Sequence, residues 1–179
     1  MKNNYSRVEG MLYSYYRKKD RIARLKSKEE RIQNRIDRLR KDIKECNIEL
    51  DATIQAIDYS KDAVQSNSVV SNIEKELENA VDRMLKDIAY NIREKRENKE
   101  KIRGLERSIE DIEILLEDLT EEEKQILELR YSEKMSDKLI GDMINMSRTT
   151  IQRRRTELIE ELGEEMSIKW AEIGQKSGN

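Results

Sequence analysis

Two stretches of this chain carry apolar residues at a 3.5-residue spacing, and no proline interrupts either. In the first, from about Tyr5 to Ile57, one core position holds Val8, Tyr15, Ile22, Ile36, Ile43, Leu50 and Ile57. The other holds Met11, Leu25, Ile32, Leu39 and Cys46, with Lys18, Glu29 and Thr53 as exceptions. In the second, from about Ile73 to Asp118, Val81, Ile88, Ile102, Ile109 and Leu116 share one position. Leu77, Met84, Leu105, Ile112 and Leu119 share the other. A repeat sustained this long predicts helices that supercoil around a partner. Fifty helical residues extend about 75 Å.

Charged residues outnumber hydrophobic ones, 41% to 36%. One large core is therefore out of reach, and long solvated helices are expected. Between the segments, residues 58–72 are rich in Ser, Asn and Asp, whose side chains compete with helix for the backbone. They read as a loop, with Ser71 or Asn72 as the cap of the next helix. Asn91, Lys95 and Asn98 fall on core positions, where polar residues fix register or partner at a cost in stability. Gly104 lies off the seam as a soft point. The two segments are of similar length and each needs a partner, so an antiparallel hairpin is favoured over a parallel dimer.

The third part begins at Leu119. Thr120 and Glu123 have the spacing of a capping box, and a helix follows to about Tyr131. Residues 136–156 then read as two short helices joined by a tight turn. Ile140, Ile144, Met146 and Ile151 supply apolar contacts, and Leu158 and Leu162 continue that face. Gly141 leaves room at a close crossing, and Asn145 suits a left-handed turn residue. Ser147 is an N-cap. That pattern is a helix-turn-helix. The expected fold is all-α: a long antiparallel helical hairpin (coiled coil) followed by a small C-terminal helix-turn-helix domain. The expected boundaries are 1–118 for the hairpin, 119–165 for the small domain with Gly163 near its last helix end, and 166–179 for a tail. That tail carries Met166, Ile168, Trp170 and Ile173.

The net charge of −2 names no partner, but Arg148, Arg153, Arg154 and Arg155 are concentrated in the second helix with no acid before Glu157. Arg148, Thr149, Gln152, Arg153 and Thr156 form its outward face. Arg pairs with guanine, Gln with adenine, and Thr touches a thymine methyl. Ser147 and the helix start can take a backbone phosphate. Arg154 and Arg155 are expected to serve phosphates. Arg154 stands where such motifs place an apolar residue: either its stem covers the core edge while the guanidinium reaches water or phosphate, or the second helix is rotated slightly from the usual docking.

Residues 119–162, with Leu-Thr-x-x-Glu at the start, Leu-x-Leu-Arg-Tyr at Leu127–Tyr131, then Ser136, Ile140, Ser147, Thr150 and Ile151, resemble the promoter-reading C-terminal domain of sigma factors. Gly141 and Asn145 depart from the Ala and Gly common there. The chain does not resemble a full sigma factor: melting a promoter takes an aromatic-rich domain, and this chain has no Phe and one Trp. Tyr5, Tyr13, Tyr15 and Tyr16 are read as interface or surface residues. A long helical region ahead of such a domain looks like phage-encoded regulators of the ArpU and RinA type. That resemblance implies a transcriptional activator of phage late genes.

Nothing points to catalysis. There is no His and no Gly-rich phosphate loop, and the lone Cys46 reads as heptad packing. Neither cofactor nor metal is expected. No apolar run reaches membrane length, so the expected place is the cytoplasm of a bacterial or phage-infected cell. The expected partners are double-stranded DNA, RNA polymerase and a second copy of the chain, a dimer being favoured. Two other readings stay open: a DNA-packaging protein like a small terminase subunit, and a coiled-coil scaffold that binds no DNA.

Overall fold

The computed structural model describes residues 2–48 and 66–176, with side chains at 5–48 and 73–167. The described residues are helical and contain no strand. The elements are α1 (Lys2–Lys44), α2 (Ser66–Arg107), α3 (Glu110–Glu117), α4 (Glu121–Leu127), a turn of π-helix (Glu128–Ser132), α5 (Asp137–Ile144) and α6 (Arg148–Lys176). They divide into two compact units, one of residues 1–24 with 103–179, the other of residues 25–102.

In the second unit, α1 and α2 run antiparallel. Glu29 lies 3.6 Å from Lys99 and 3.8 Å from Lys95, and Lys95 Nζ donates to Gln33 Oε1 at 2.6 Å. Further along α1, Ile32 and Ile36 meet Ile88, with Leu39 and Ile43 packed against them. Partners thus fall in number on α2 as they rise on α1, which only an antiparallel pair gives. Asn91 and Asn98 are buried, at 3% and 2% exposure, as their seam positions predict. Asn91 Nδ2 donates to the carbonyl of Asp87 at 2.7 Å, the residue one turn back.

The seams are shorter than the heptads imply. α1 ends at Lys44, and Cys46 follows with a positive φ of 52°. A left-handed residue cannot continue a helix, so Cys46 is exposed rather than packed in a seam. Leu50, Ile57 and the first part of the expected loop lie outside the described residues. The rest of that loop is helical: α2 already begins at Ser66, ahead of the expected caps Ser71 and Asn72. A helix once nucleated propagates at the gain of one hydrogen bond per residue, which carries α2 through the helix-averse Ser and Asn. Leu77, expected in a seam, is 42% exposed.

The second seam also breaks. α2 ends at Arg107, where Ser108 turns its hydroxyl back to the carbonyl of Leu105 at 2.7 Å, and α3 starts at Glu110. Serine's short side chain competes for backbone acceptors. Ile109 and Leu116 nevertheless stay buried, so the apolar face survives the interruption.

In the first unit, Lys18 Nζ reaches the carbonyl of Ser108 at 3.3 Å. Val8, Leu12, Tyr15, Tyr16 and Ile22 of α1 are buried, as are Ile109, Leu116, Ile126, Leu127, Ile151, Leu158, Ile159 and Leu162. Gly163 does not end a helix; α6 runs through it to Lys176. A Cβ there would meet Val8 Cγ2 at 3.4 Å, ordinary to tight contact, so the glycine marks a close helix approach instead of a stop. Met166 is buried beyond it, and the side chains of Ile168, Trp170 and Ile173 lie outside the described residues.

Candidate nucleic-acid interface

The helix-turn-helix is built by local chemistry at each joint. Thr120 and Glu123 form the capping box: Thr120 N donates to Glu123 Oε2 at 2.8 Å, and Glu123 N to Thr120 Oγ1 at 3.4 Å. Such a cap contributes about 1 kcal/mol. The π-helical turn then widens the backbone, and Arg130 Nη1 donates to the carbonyl of Met135 at 2.9 Å, tying down the loop ahead of α5. Ser136 caps α5 by accepting from Leu139 N at 3.4 Å.

Asn145 ends α5 at φ 57°, ψ 42°, the left-handed conformation. Met146 N donates to the carbonyl of Gly141 at 2.8 Å, folding the turn back on the helix. A Cβ on Gly141 would run into the carbonyl oxygen of Met146, backbone that has no room to give. The common Ala is therefore incompatible with this turn. Ser147 Oγ accepts from Thr150 N at 3.1 Å and starts α6. Ile126, Leu129, Ile140 and Ile151 form the core under the turn, with Met135, Ile144 and Met146 against it.

The eight polar residues singled out by sequence do not share one fate. Arg148, Thr149, Gln152 and Arg153 are exposed, and Thr156 is half-buried beside them. Thr149, Gln152, Arg153 and Thr156 line one shallow open depression together with Glu157. Arg153 lies 3.7 Å from Glu157, an exposed pair of small energetic weight. Ser147 sits at the start of the same helix as its cap. Arg154 leaves this face: it is half-exposed and paired with Glu122 of α4.

Arg155 is the departure. It is 9% exposed and turned into the protein, so the expected phosphate contact is corrected. Its Nη1 donates to Tyr5 Oη at 2.8 Å and to Glu9 Oε1 at 2.9 Å, and its Nε lies 3.3 Å from Asp137 Oδ1. Tyr131 Oη donates to the same Glu9 oxygen at 3.0 Å. Burial pushes the Tyr131 phenol well above the usual tyrosine range; Arg155 works against that shift and Glu9 adds to it. The reason for the inward turn is periodicity. Arg155 lies four residues after Ile151 and three before Leu158, on the stripe that faces the core. That spacing was readable in the sequence. Its partners Tyr5 and Glu9, 150 and 146 positions away, gave no such signal.

The geometry is that of a short helix, a left-handed turn and a second helix with a polar outer face. Residues 115–164 match the family model Sigma-70, region 4. The match marks this region as a DNA-binding helix-turn-helix and covers under a third of the chain. No curated protein and no solved structure matches the chain. Beyond the region 4 match, no group of acidic or sulfur side chains among the described residues could hold a metal ion. No described helix is long and apolar enough to cross a membrane.

Proposed function

We propose that this chain is a sequence-specific regulator of transcription, a phage or prophage activator of the ArpU and RinA type, which reads a promoter element through α6. The observation that carries this reading is the outer face of that helix. Within a region 4-like domain, Arg148, Thr149, Gln152, Arg153 and Thr156 leave the core together while the inward stripe is held by Ile151, Arg155 and Leu158. Guanidinium, amide and methyl groups in that arrangement suit the edges of bases in a major groove. Ser147 and the start of α6 meet a backbone phosphate.

The long helices then serve to pair two readers or to meet RNA polymerase. Self-association is supported by Leu77, Leu85 and Ile92, large apolar residues left exposed along α2. A dimer would favour a two-fold DNA site with fixed half-site spacing.

Selection of duplexes from a random library by the purified chain tests the reading. An enriched motif is expected, and Arg148→Ala with Gln152→Ala should relax it at the positions those residues contact. Each lost base contact is expected to cost about 1–3 kcal/mol of discrimination. Failure to enrich any motif, or an unaltered motif with both changes in place, would overturn it.

A further inference from the structure

The unit that contains α6 has a second cationic surface, away from the reading helix. α1 and the loop ahead of α5 enclose an open cleft of about 430 Å³. Arg17, Arg24 and Lys134 line it, with the hydroxyls of Ser14 and Ser132 between them and Asp20 as the one carboxylate. All three cations are exposed, and none has an ion-pair or hydrogen-bond partner among the described residues. Two neighbouring cations are otherwise occupied: Lys18 bonds the carbonyl of Ser108, and Lys19 lies about 6 Å from the rings of Tyr15 and Tyr16.

The loop that offers Lys134 is held firmly. Lys134 has a positive φ of 56°, a conformation that glycine or asparagine would adopt at less cost. Met135 N donates to the carbonyl of Leu129 at 3.0 Å, and Glu133 N to that of Glu128 at 3.2 Å, on either side of it. Arg17 and Arg24 lie two helical turns apart on one face of α1, about 10 Å along the axis. The cleft wall includes Tyr131, whose hydroxyl bonds Glu9, which bonds Arg155 of α6. Cleft and reading helix are therefore fixed to each other by side-chain bonds inside one unit.

We propose that this cleft is a second DNA contact, in which Arg17, Arg24 and Lys134 bind backbone phosphates flanking the element read by α6. The inference rests on the DNA-binding reading above. DNA is favoured over an acidic protein because the same unit carries the region 4-like reader, so a bound duplex already stands nearby. Such contacts add affinity and salt dependence without sequence preference.

The test is the salt dependence of duplex binding by the full chain, using the selected motif with long flanks. Each phosphate contact contributes about 0.9 to the logarithmic slope. Neutralising all three residues, as Arg17→Gln, Arg24→Gln and Lys134→Gly, should lower the slope by about 2–3 and leave the selected motif unchanged. Lys134→Gly alone removes one charge while easing the backbone, so it should lower the slope by about 0.9 with no loss of thermal stability. The charge-preserving triple Arg17→Lys, Arg24→Lys, Lys134→Arg should keep the wild-type slope. A slope unmoved by neutralisation overturns the cleft, and so does equal loss in the charge-preserving triple. If neutralisation instead abolishes binding to polyglutamate and spares DNA, the surface belongs to an acidic protein and the inference falls. A wild-type chain that binds no duplex defeats the DNA-binding reading itself, a result separate from the others.

Discussion

Gly141 and Asn145 decide whether the two short helices can meet at all, and they tolerate change differently. A methyl group on Gly141 collides with the Met146 carbonyl, so Gly141→Ala should destabilise the chain by about 1–3 kcal/mol, the range of overpacked sites. Asn145→Gly keeps a left-handed φ at no steric cost and should change stability by about 1 kcal/mol or less. Urea unfolding of the two variants separates them. Arg155 gives a second contrast at this scale. Arg155→Ala leaves Glu9 without its cation and Asp137 with only the longer contact to Arg130, in a largely buried setting, and should cost about 3–5 kcal/mol. Arg153→Ala, at an exposed pair, should cost less than about 0.5 kcal/mol. If Arg155→Ala melts like wild type, the inward network carries no weight. The turn residues were legible in sequence because their roles depend on a few neighbours: a left-handed backbone, a missing Cβ, a hydroxyl one turn from an amide. Arg155 departs from expectation because it closes a run of three successive arginines, whereas its place on the apolar stripe depends on helix phase.

Among the elements, α1 and α2 show what a heptad does and does not specify. The repeat located much of the buried faces, including the two asparagines, although Leu77 on the repeat is exposed and Leu12 and Ala80 off it are buried. Asn91 Oδ1 and Asn98 Nδ2 are buried without a hydrogen-bond partner among the described residues. An unpaired buried amide costs about 1–3 kcal/mol. Asn98→Leu should therefore raise the stability of the hairpin by about 1–3 kcal/mol, read as a higher melting temperature. A drop would mean that this amide has a partner supplied by another chain. The repeat did not locate the ends. Cys46 occupies a heptad position yet has a left-handed backbone, and Ser108 breaks α2 at a seam that stays apolar on both sides. Heptad phase fixes which side of a helix is buried. Termination depends on backbone conformation and on bonds to nearby carbonyls, which an apolar pattern does not encode.

For the whole molecule, three buried phenols set a limit at high pH. Burial, then nearby negative groups, pushes Tyr15 and Tyr16 above the usual tyrosine range, and Tyr131 shifts in the same direction. The folded chain keeps these protons where an unfolded one begins to lose them, near pH 10. Their contribution to stability is whole below about pH 10 and is lost as pH rises through the folded values. Stability measured by denaturant should fall above about pH 10, and Tyr16→Phe should flatten that fall. A fall of equal steepness in the variant would remove Tyr16 from the account.

The unit that carries α6 is drawn from both ends of this sequence, residues 1–24 and 103–179. During synthesis its first helical turns leave the ribosome long before α6 exists. At about 5–20 residues per second, Tyr5 and Glu9 wait roughly seven to thirty seconds for Arg155. A chain stopped early lacks Arg155 to receive them, and a fragment that starts late keeps Asp137 but lacks Glu9, the nearer of the two carboxylates on Arg155. The helix-turn-helix unit thus gains the contacts of Arg155 with Tyr5 and Glu9 only after some 150 intervening residues have been made.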